Sequence, residues 1–310
     1  MKSLALNRLL PFAALFTAAA LGASSGLYIK GLAFSSLAMA GFRMSVPFLI
    51  VIPFVARRGL LLGTPGYRKR LYFASVLNAL RLLLYVLSFK YTSIANAVAL
   101  LYLWPVFTLV IDGIQSRRRL DMARVGVLSL ASIGVALMNA HQGFSVSGKD
   151  LIGSGFMIVS AFLYAISTII FKQALKDMRE TDIMYFQNGA GAIIFLPFLI
   201  AAIPGAEPGH VALGLLYGLA VGFAGFGLFF VAMKRLPLFQ YSALSYTEIL
   251  FGLAFGIMFR GDVLRVTQVL GVIFIVAGSY AAQRLRVKGL DPRSGPPVPG
   301  NLPVRGSRRP

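Results

Sequence analysis

The sequence has no cysteine, two histidines and few charged residues. Among its 310 residues, 13% are Asp, Glu, Lys or Arg. The absence of cysteine excludes disulfides, thiolate metal sites and thiol nucleophiles. His141 and His210 both fall in predicted loops, so a histidine metal site or a catalytic triad cannot be assembled. Neither GxxxxGKS nor GxxxxGKT occurs, which excludes a P-loop for ATP.

Apolar residues dominate the composition instead. Hydrophobic residues make up 57% of the chain and the mean hydropathy is +0.78. A soluble domain carries about 25% charged residues, and a bilayer core requires apolar runs of about 20 residues. The sequence therefore predicts an all-α integral membrane protein with ten transmembrane helices. Their predicted ranges are 9–29, 35–56, 71–89, 94–114, 122–140, 150–171, 182–203, 211–233, 239–259 and 265–283.

The two ends of the chain need separate interpretation. Lys2 and Arg8 followed by an apolar run resemble a signal peptide, but the run continues to Ile29, so we expect an uncleaved first span. Residues 285–310 are rich in Pro, Gly and Arg and predict a disordered basic tail. The connections between spans are short and leave no room for a soluble catalytic domain.

Basic residues are distributed unevenly between the two predicted membrane faces. Ten spans put both termini on one face, and 23 of the 30 Lys and Arg residues lie there, against five on the other face. The positive-inside rule makes that face cytoplasmic, and we expect a plasma membrane, the inner membrane of a bacterium. The net charge of +20 thus reports topology and contact with anionic lipids, not binding of nucleic acid.

The two halves of the sequence are related. YTSIANAVALLYLWPVFTLVIDGI resembles PLFQYSALSYTEILFGLAFGIMF at an offset of about 144 residues, and each is followed by a charged patch and a glycine-containing apolar helix. Five spans per copy is an odd number, so the second copy must be inverted in the membrane. We predict a first repeat over 1–143 and a second, inverted repeat over 144–284.

These motifs resemble the EamA-type members of the drug/metabolite transporter superfamily. The resemblance rests on Arg43, on ANAVALLYLWPVF around Pro105, on SYTE around Glu248, and on GDVLRVTQVLGVIFIVAGSY near the end. It implies a ten-helix transporter and permits amino acids and related metabolites as substrates. The chain departs from the family pattern at Ile249, where the family often has proline, and at Arg117–Arg119, where it usually has an acidic turn.

Polar residues inside the spans follow single helical faces. Glu248 lies within an apolar span, where a carboxylate costs about 2.5–3.5 kcal/mol on insertion scales. Such groups point into a bundle or a watery cavity, so we predict a cavity lined by the third, fourth, sixth and ninth spans. The stripes are Ser75, Asn78, Arg81, Tyr85 and Ser88 in the third span, Ser160, Tyr164 and Ser167 in the sixth, and Ser242, Ser245 and Glu248 in the ninth.

We expect this cavity to bind substrate, with no catalytic residue, metal or cofactor. The alternatives are that Ser and Thr bond only their own or a neighbouring helix, that Glu248 forms a permanent ion pair with Arg81, and that Arg43 snorkels or pairs structurally. The predicted substrate-binding residues are Asn78, Arg81, Tyr85, Tyr102, Trp104, Tyr164, Ser245 and Glu248.

The sequence therefore predicts a secondary active transporter, not an enzyme. It would export a small metabolite, best an amino acid or related zwitterion, by alternating access with proton coupling or exchange. A multidrug, cationic or nucleotide-type substrate, an intramembrane lipid-modifying enzyme and a structural protein are the alternatives. Expected partners are the metabolite, membrane lipids and protons, and the protein would be a monomer or a homodimer.

Overall fold

The computed structural model describes residues 2–60, 65–117, 121–144 and 147–285. The predicted tail lies outside the described residues from position 286 onward. A 3-10 turn occupies Ala140–Gln142 and a π-helix occupies Gly218–Gly225. The α-helices, numbered α1 to α14, are Lys2–Ala23, Ser25–Gly31, Ser36–Arg58, Pro65–Ser88, Ile94–Leu101, Trp104–Gln115, Met122–Asn139, Gly148–Ala174, Glu180–Ala202, Pro208–Tyr217, Phe226–Arg235, Leu238–Ser245, Thr247–Arg260 and Val266–Arg284.

The prediction of ten spans is confirmed. In the described part of the chain, ten helical stretches are long and apolar enough to cross a membrane, and their ends differ from the predicted ones by three residues or fewer. The differences arise where polar residues continue a helix beyond its apolar run, as at Lys172 in α8. The ten spans form two inverted five-helix repeats. We call the face where the first span begins and the tenth ends the terminus face, and the opposite one the far face.

Serine caps begin three of the helices that start at the far face. Ser35, Ser93 and Ser147 each accept a hydrogen bond from the amide three residues further on, at 3.2, 3.2 and 3.3 Å. At Ser147 the bond is reciprocal, because Asp150 accepts from the Ser147 amide at 2.9 Å. These side chains satisfy amides that have no partner within the helix.

The repeats pack against each other through matching helices. The most extensive contacts join α3 to α9 and α7 to α14, each helix meeting its counterpart in the other repeat. Close approach of α7 and α14 depends on two glycines. A Cβ atom at Gly134 would lie 2.8 Å from the Gly271 carbonyl oxygen, which only glycine avoids without moving the helices.

Gly214, Gly218 and Gly222 are spaced four residues apart, a pattern that predicts close helix packing in a membrane, and they let α3 approach the eighth span. A Cβ atom at Gly214 would lie 2.5 Å from the Phe42 ring, and one at Gly218 would lie 2.6 Å from the Phe42 carbonyl oxygen. A Cβ atom at Gly222 would overlap the carbonyl oxygen of Arg43. The prediction of close helix packing at these three positions is therefore confirmed.

The fourth and ninth spans are both interrupted near their middle. Pro105 lacks an N–H and cannot bond the carbonyl of residue 101, and the fourth span divides there into α5 and α6. The ninth span divides at Tyr246, which lies 144 residues after Tyr102. The Tyr246 hydroxyl donates to the Tyr102 carbonyl at 3.0 Å and contacts Ser132 Oγ at 2.7 Å. The two interruptions are thus joined to each other.

Two lysine side chains connect helix ends at the terminus face. Lys172 at the end of α8 donates to the carbonyls of Lys234 at 3.2 Å and Leu236 at 2.8 Å, at the end of α11. Lys234 forms an ion pair with Glu180, the first residue of α9, at 3.4 Å. These bonds hold three helix ends together at this face. The boundary predicted between residues 143 and 144 stays a prediction.

Candidate functional site

A cavity of about 400 Å³ lies between the two repeats. It extends from the middle of the bundle toward the far face, because its lining includes Ser36 and Ile94, the first residues of α3 and α5. The third, fourth, sixth and ninth spans line it, as the sequence predicted. The first, second and eighth spans line it too, which the sequence analysis missed.

Seven of the eight predicted binding residues line this cavity, and Asn78 is the exception. The Asn78 side chain lies behind Arg81 and accepts a hydrogen bond from Arg81 Nε at 3.1 Å. It therefore orients the arginine. The seven lining residues are Arg81, Tyr85, Tyr102, Trp104, Tyr164, Ser245 and Glu248.

Arg81 is held firmly at the wall of the cavity. Its side chain is buried, and its guanidinium carbon lies 4.0 Å from the centre of the Tyr164 ring. The Arg81 carbonyl accepts a hydrogen bond from Ser160 of α8 at 2.8 Å. Stacking on an aromatic face stabilises a cation, so the charge is tolerated inside the bundle.

Glu248 is half-buried on α13 and faces the first span. Its Oε1 atom would lie 2.6 Å from a Cβ atom at Gly22, so a larger residue at that position would require the carboxylate to move. Arg43 and Arg81 line the same cavity as Glu248. Within residues 2–60, 65–117, 121–144 and 147–285, Glu248 forms no ion pair with either arginine. The permanent Glu248–Arg81 ion pair considered from the sequence is not formed in this conformation.

Aromatic rings close the cavity toward the terminus face. The centre of the Trp104 ring lies 4.8 Å from that of Tyr164 and 6.3 Å from that of Tyr241. Phe229 meets the Tyr241 ring from the eighth span, also at 6.3 Å. These residues separate the cavity from the helix ends that Lys172 and Lys234 connect.

A second cavity of about 190 Å³ lies on the other side of the interruptions, nearer the terminus face. Pro105, Asp112, Arg124 and Ser242 are among the residues that line it. The Ser242 hydroxyl is buried and has no hydrogen-bond partner among the described residues. Ser242 and Ser245, predicted on one stripe, therefore line different cavities one helical turn apart.

Several predicted stripe residues donate hydrogen bonds to helix carbonyls instead of lining a cavity. Ser160 and Ser167 of α8 donate to the carbonyls of Arg81 and Ala74 in α4, at 2.8 and 3.2 Å. Ser75 donates to the Leu71 carbonyl of its own helix at 2.8 Å. The helix-bonding role considered from the sequence applies to these three serines.

Other residues outside the predicted binding set also line the large cavity. They include aromatic residues of the eighth span, which lack the polar spacing that marked the stripes. Only Arg43 carried a signal, as a charge within a span. The residues are Gly22, Met39, Arg43, Tyr217, Phe226 and Phe229.

Comparison with known proteins supplies the family. The model of the EamA-like transporter family matches residues 9–140 and again residues 151–282. The chain belongs to the EamA-like transporter family. Each of the two EamA matches covers five of the ten spans, in agreement with the inverted repeat.

Relatives of this EamA-like chain carry transporter names. An "Uncharacterized transporter" of Archaeoglobus fulgidus is 28% identical over 88% of this chain and 96% of its own length. A "Probable amino-acid metabolite efflux pump" of Salmonella typhimurium is 25% identical over 56% of this chain and 62% of its own length. A crystal structure covering 89% of this chain and 96% of its own has a TM-score of 0.75 at 17% identity, which shows the fold alone.

Proposed function

We propose that the protein is a secondary active transporter that exports a small amphipathic metabolite, best an amino acid or related zwitterion. One observation carries the proposal: Arg81 and Glu248 line one cavity in the middle of the bundle and are not paired with each other. Unpaired charges inside a membrane protein mark binding sites. The name of the Salmonella relative supports the substrate class.

The cavity offers a separate contact to each part of a zwitterion. Arg81 would bind the carboxylate and Glu248 the ammonium group, while Trp104, Tyr164 and Phe229 would surround an apolar side chain. A volume of about 400 Å³ falls within the range of small-molecule sites. Tyr85, Tyr102 and Ser245 complete the proposed binding site, and Asn78 acts through Arg81.

Alternating access would exchange the roles of the two cavities. The large cavity extends toward the far face, and the aromatic closure blocks the other side. The small cavity would open toward the terminus face when the fourth and ninth spans move at their interruptions, which Tyr102 and Tyr246 join. Protonation of Glu248 would compete with the substrate's ammonium group, which couples transport to a proton gradient.

We further propose that the terminus face is cytoplasmic, with the protein in the inner membrane of a bacterium. The cysteine-free chain allows a direct test, since single cysteines can be added to it. A cysteine at Gly148, at the far face, should react in intact cells with an impermeant maleimide. A cysteine at Gly66, at the terminus face, should react only after the cells are opened. The reverse pattern would overturn this orientation.

The binding role of Arg81 is tested by two substitutions. Arg81→Gln should lower kcat/KM for a zwitterionic amino acid by roughly 10- to 100-fold, because a hydrogen bond to a charged group contributes about 1.5–3 kcal/mol. Arg81→Lys keeps the charge but loses the planar fork and should fall in between. Counterflow of labelled amino acids in proteoliposomes measures both. Wild-type kcat/KM in both variants would place Arg81 outside the binding site.

A further inference from the structure

Arg43 is the second arginine of the large cavity, and it lacks the partners that Arg81 has. Its guanidinium carbon lies 4.7 Å from the centre of the Phe226 ring. The Arg43 Nε atom is buried and has no hydrogen-bond acceptor among the described residues. Arg81 Nε, in contrast, donates to Asn78 at 3.1 Å. The Nε donor of Arg81 is thus paired within the protein, and the buried Nε donor of Arg43 has no acceptor among the described residues.

The backbone holds Arg43 in this position. Pro47 has no N–H, so the Arg43 carbonyl lacks the usual partner four residues further along the helix. That carbonyl faces Gly222 of the π-helix, where a Cβ atom would overlap it. One turn beyond Gly222, Phe226 supplies the ring beneath the guanidinium. Glycine, π-helix and proline together fix this arginine at the cavity wall, and π-helical turns often mark functional sites.

A buried donor on a charged group is costly when it is left unpaired. The penalty is about 1–3 kcal/mol for a neutral group and more for a charged one, and it is not relieved by lipid. Arg43 forms no ion pair in the described parts of the chain, although Glu248 is its neighbour in the cavity. A partner that arrives from outside the protein would satisfy it.

The charges of the cavity indicate what kind of partner this is. Among the side chains that the structure describes, the charged ones that line it are Arg43, Arg81 and Glu248, which leaves an excess of positive charge whether Glu248 is ionised or protonated. Charges interact strongly where water is scarce, so a cation is disfavoured and an anionic group is attracted. We propose that Arg43 joins Arg81 in binding the anionic group of the transported molecule, a carboxylate or an equivalent anion, and so makes the cavity select anions and zwitterions over cations. This inference rests on the proposed transport function.

Chemical protection of Arg43 tests the proposal without a transport assay. The full-length protein, in a detergent and a buffer that both lack phosphate, is treated with phenylglyoxal, which modifies arginine. Modification of Arg43 is followed by peptide mass spectrometry. Three probes share one side chain: L-leucine, N-acetyl-L-leucine with only the carboxylate, and L-leucine methyl ester with only the ammonium group. The first two at saturating concentration should slow modification of Arg43 by about tenfold, and the ester should not.

Two results would overturn the proposal. Either none of the three probes slows modification of Arg43, or the methyl ester protects it as well as N-acetyl-L-leucine does. Phosphatidylglycerol is added in a separate arm, because a lipid headgroup also carries an anion. If the lipid protects Arg43 and N-acetyl-L-leucine cannot, the arginine binds lipid and the proposal is wrong.

Substitutions connect this contact with specificity. Arg43→Gln should weaken inhibition of counterflow by N-acetyl-L-leucine about tenfold or more, with Arg43→Lys in between, and should leave inhibition by the methyl ester unchanged or stronger. Arg284→Gln is the matched control, since Arg284 lies 5.1 Å from the Tyr280 ring but is exposed at the end of α14. Protection of Arg43 in a protein that shows no counterflow would leave this inference standing and refute the transport function. Counterflow in a protein whose Arg43 is not protected by the probes would support the transport function and refute this inference.

Discussion

Replacing Glu248 by glutamine is expected to abolish the response of transport to a pH gradient while the protein stays folded. Glutamine has the size of glutamate, so it fits beside Gly22, where the carboxylate now lies. Because Glu248 forms no ion pair with the described arginines, little stability depends on its charge. What Glu248→Gln removes is the titratable group and the contact for the substrate's ammonium.

Two measurements separate the outcomes for Glu248→Gln. Counterflow and gradient-driven efflux from proteoliposomes report transport, and thermal unfolding in detergent reports stability. A residual flux that is independent of pH, with an unchanged melting temperature, supports a coupling role. A lower melting temperature with coupling intact in the surviving protein indicates a structural ion pair in another conformation. Wild-type values in both assays would contradict both roles.

The control for this variant is Glu207→Gln. Glu207 precedes α10, is exposed and makes no side-chain capping bond. It should transport and unfold as the wild type does.

Replacing Gly222 by leucine is expected to damage both stability and transport. A Cβ atom there overlaps the Arg43 carbonyl oxygen and also lies 3.2 Å from the Pro47 ring, so α3 and the π-helix must separate. Overpacking of this kind costs about 1–3 kcal/mol. The separation also moves Arg43 away from Phe226, which distorts the cavity wall.

Thermal unfolding of the purified protein measures this effect, and Gly155→Leu is the control. Gly155 lies on the exposed side of α8, where a Cβ atom meets nothing within 4 Å. We expect a melting temperature clearly below the wild type for Gly222→Leu and an unchanged one for Gly155→Leu. Equal melting temperatures in the two variants would show that the helices adjust without cost.

The sequence predicted the spans well because membrane insertion depends on length and composition alone. It predicted the cavity less completely, because the stripes mark polar faces without showing what each face meets. Ser160 and Ser245 have the same spacing pattern, yet Ser160 bonds α4 and Ser245 lines the cavity. Gly22 has no feature in the sequence that marks it as a cavity residue, and its role depends on the Glu248 carboxylate beside it. Such pairings depend on tertiary packing, which one sequence does not display.

The interruptions illustrate the same limit. The fourth span divides where Pro105 predicts a bend. The ninth divides at Tyr246, although the nearby position at which the family often has proline is occupied by Ile249. The sequence indicates this second break only because Tyr246 corresponds to Tyr102, at the break of the fourth span in the other repeat. Likewise the π-helix has no sequence signature beyond its glycines, although it supplies part of the cavity wall.

The inverted repeat also records how the two halves have diverged. At the offset of 144 residues that relates Tyr102 to Tyr246, Trp104 corresponds to Glu248. Of the described charged residues of the cavity, the two cations come from the first half and the acid from the second. A dimer of two first halves would crowd four guanidinium groups into the middle of the membrane, and a dimer of two second halves would have no cation to balance its carboxylates. If a duplication of one ancestral half produced this chain, its descendants have since become complementary, and neither can now replace the other.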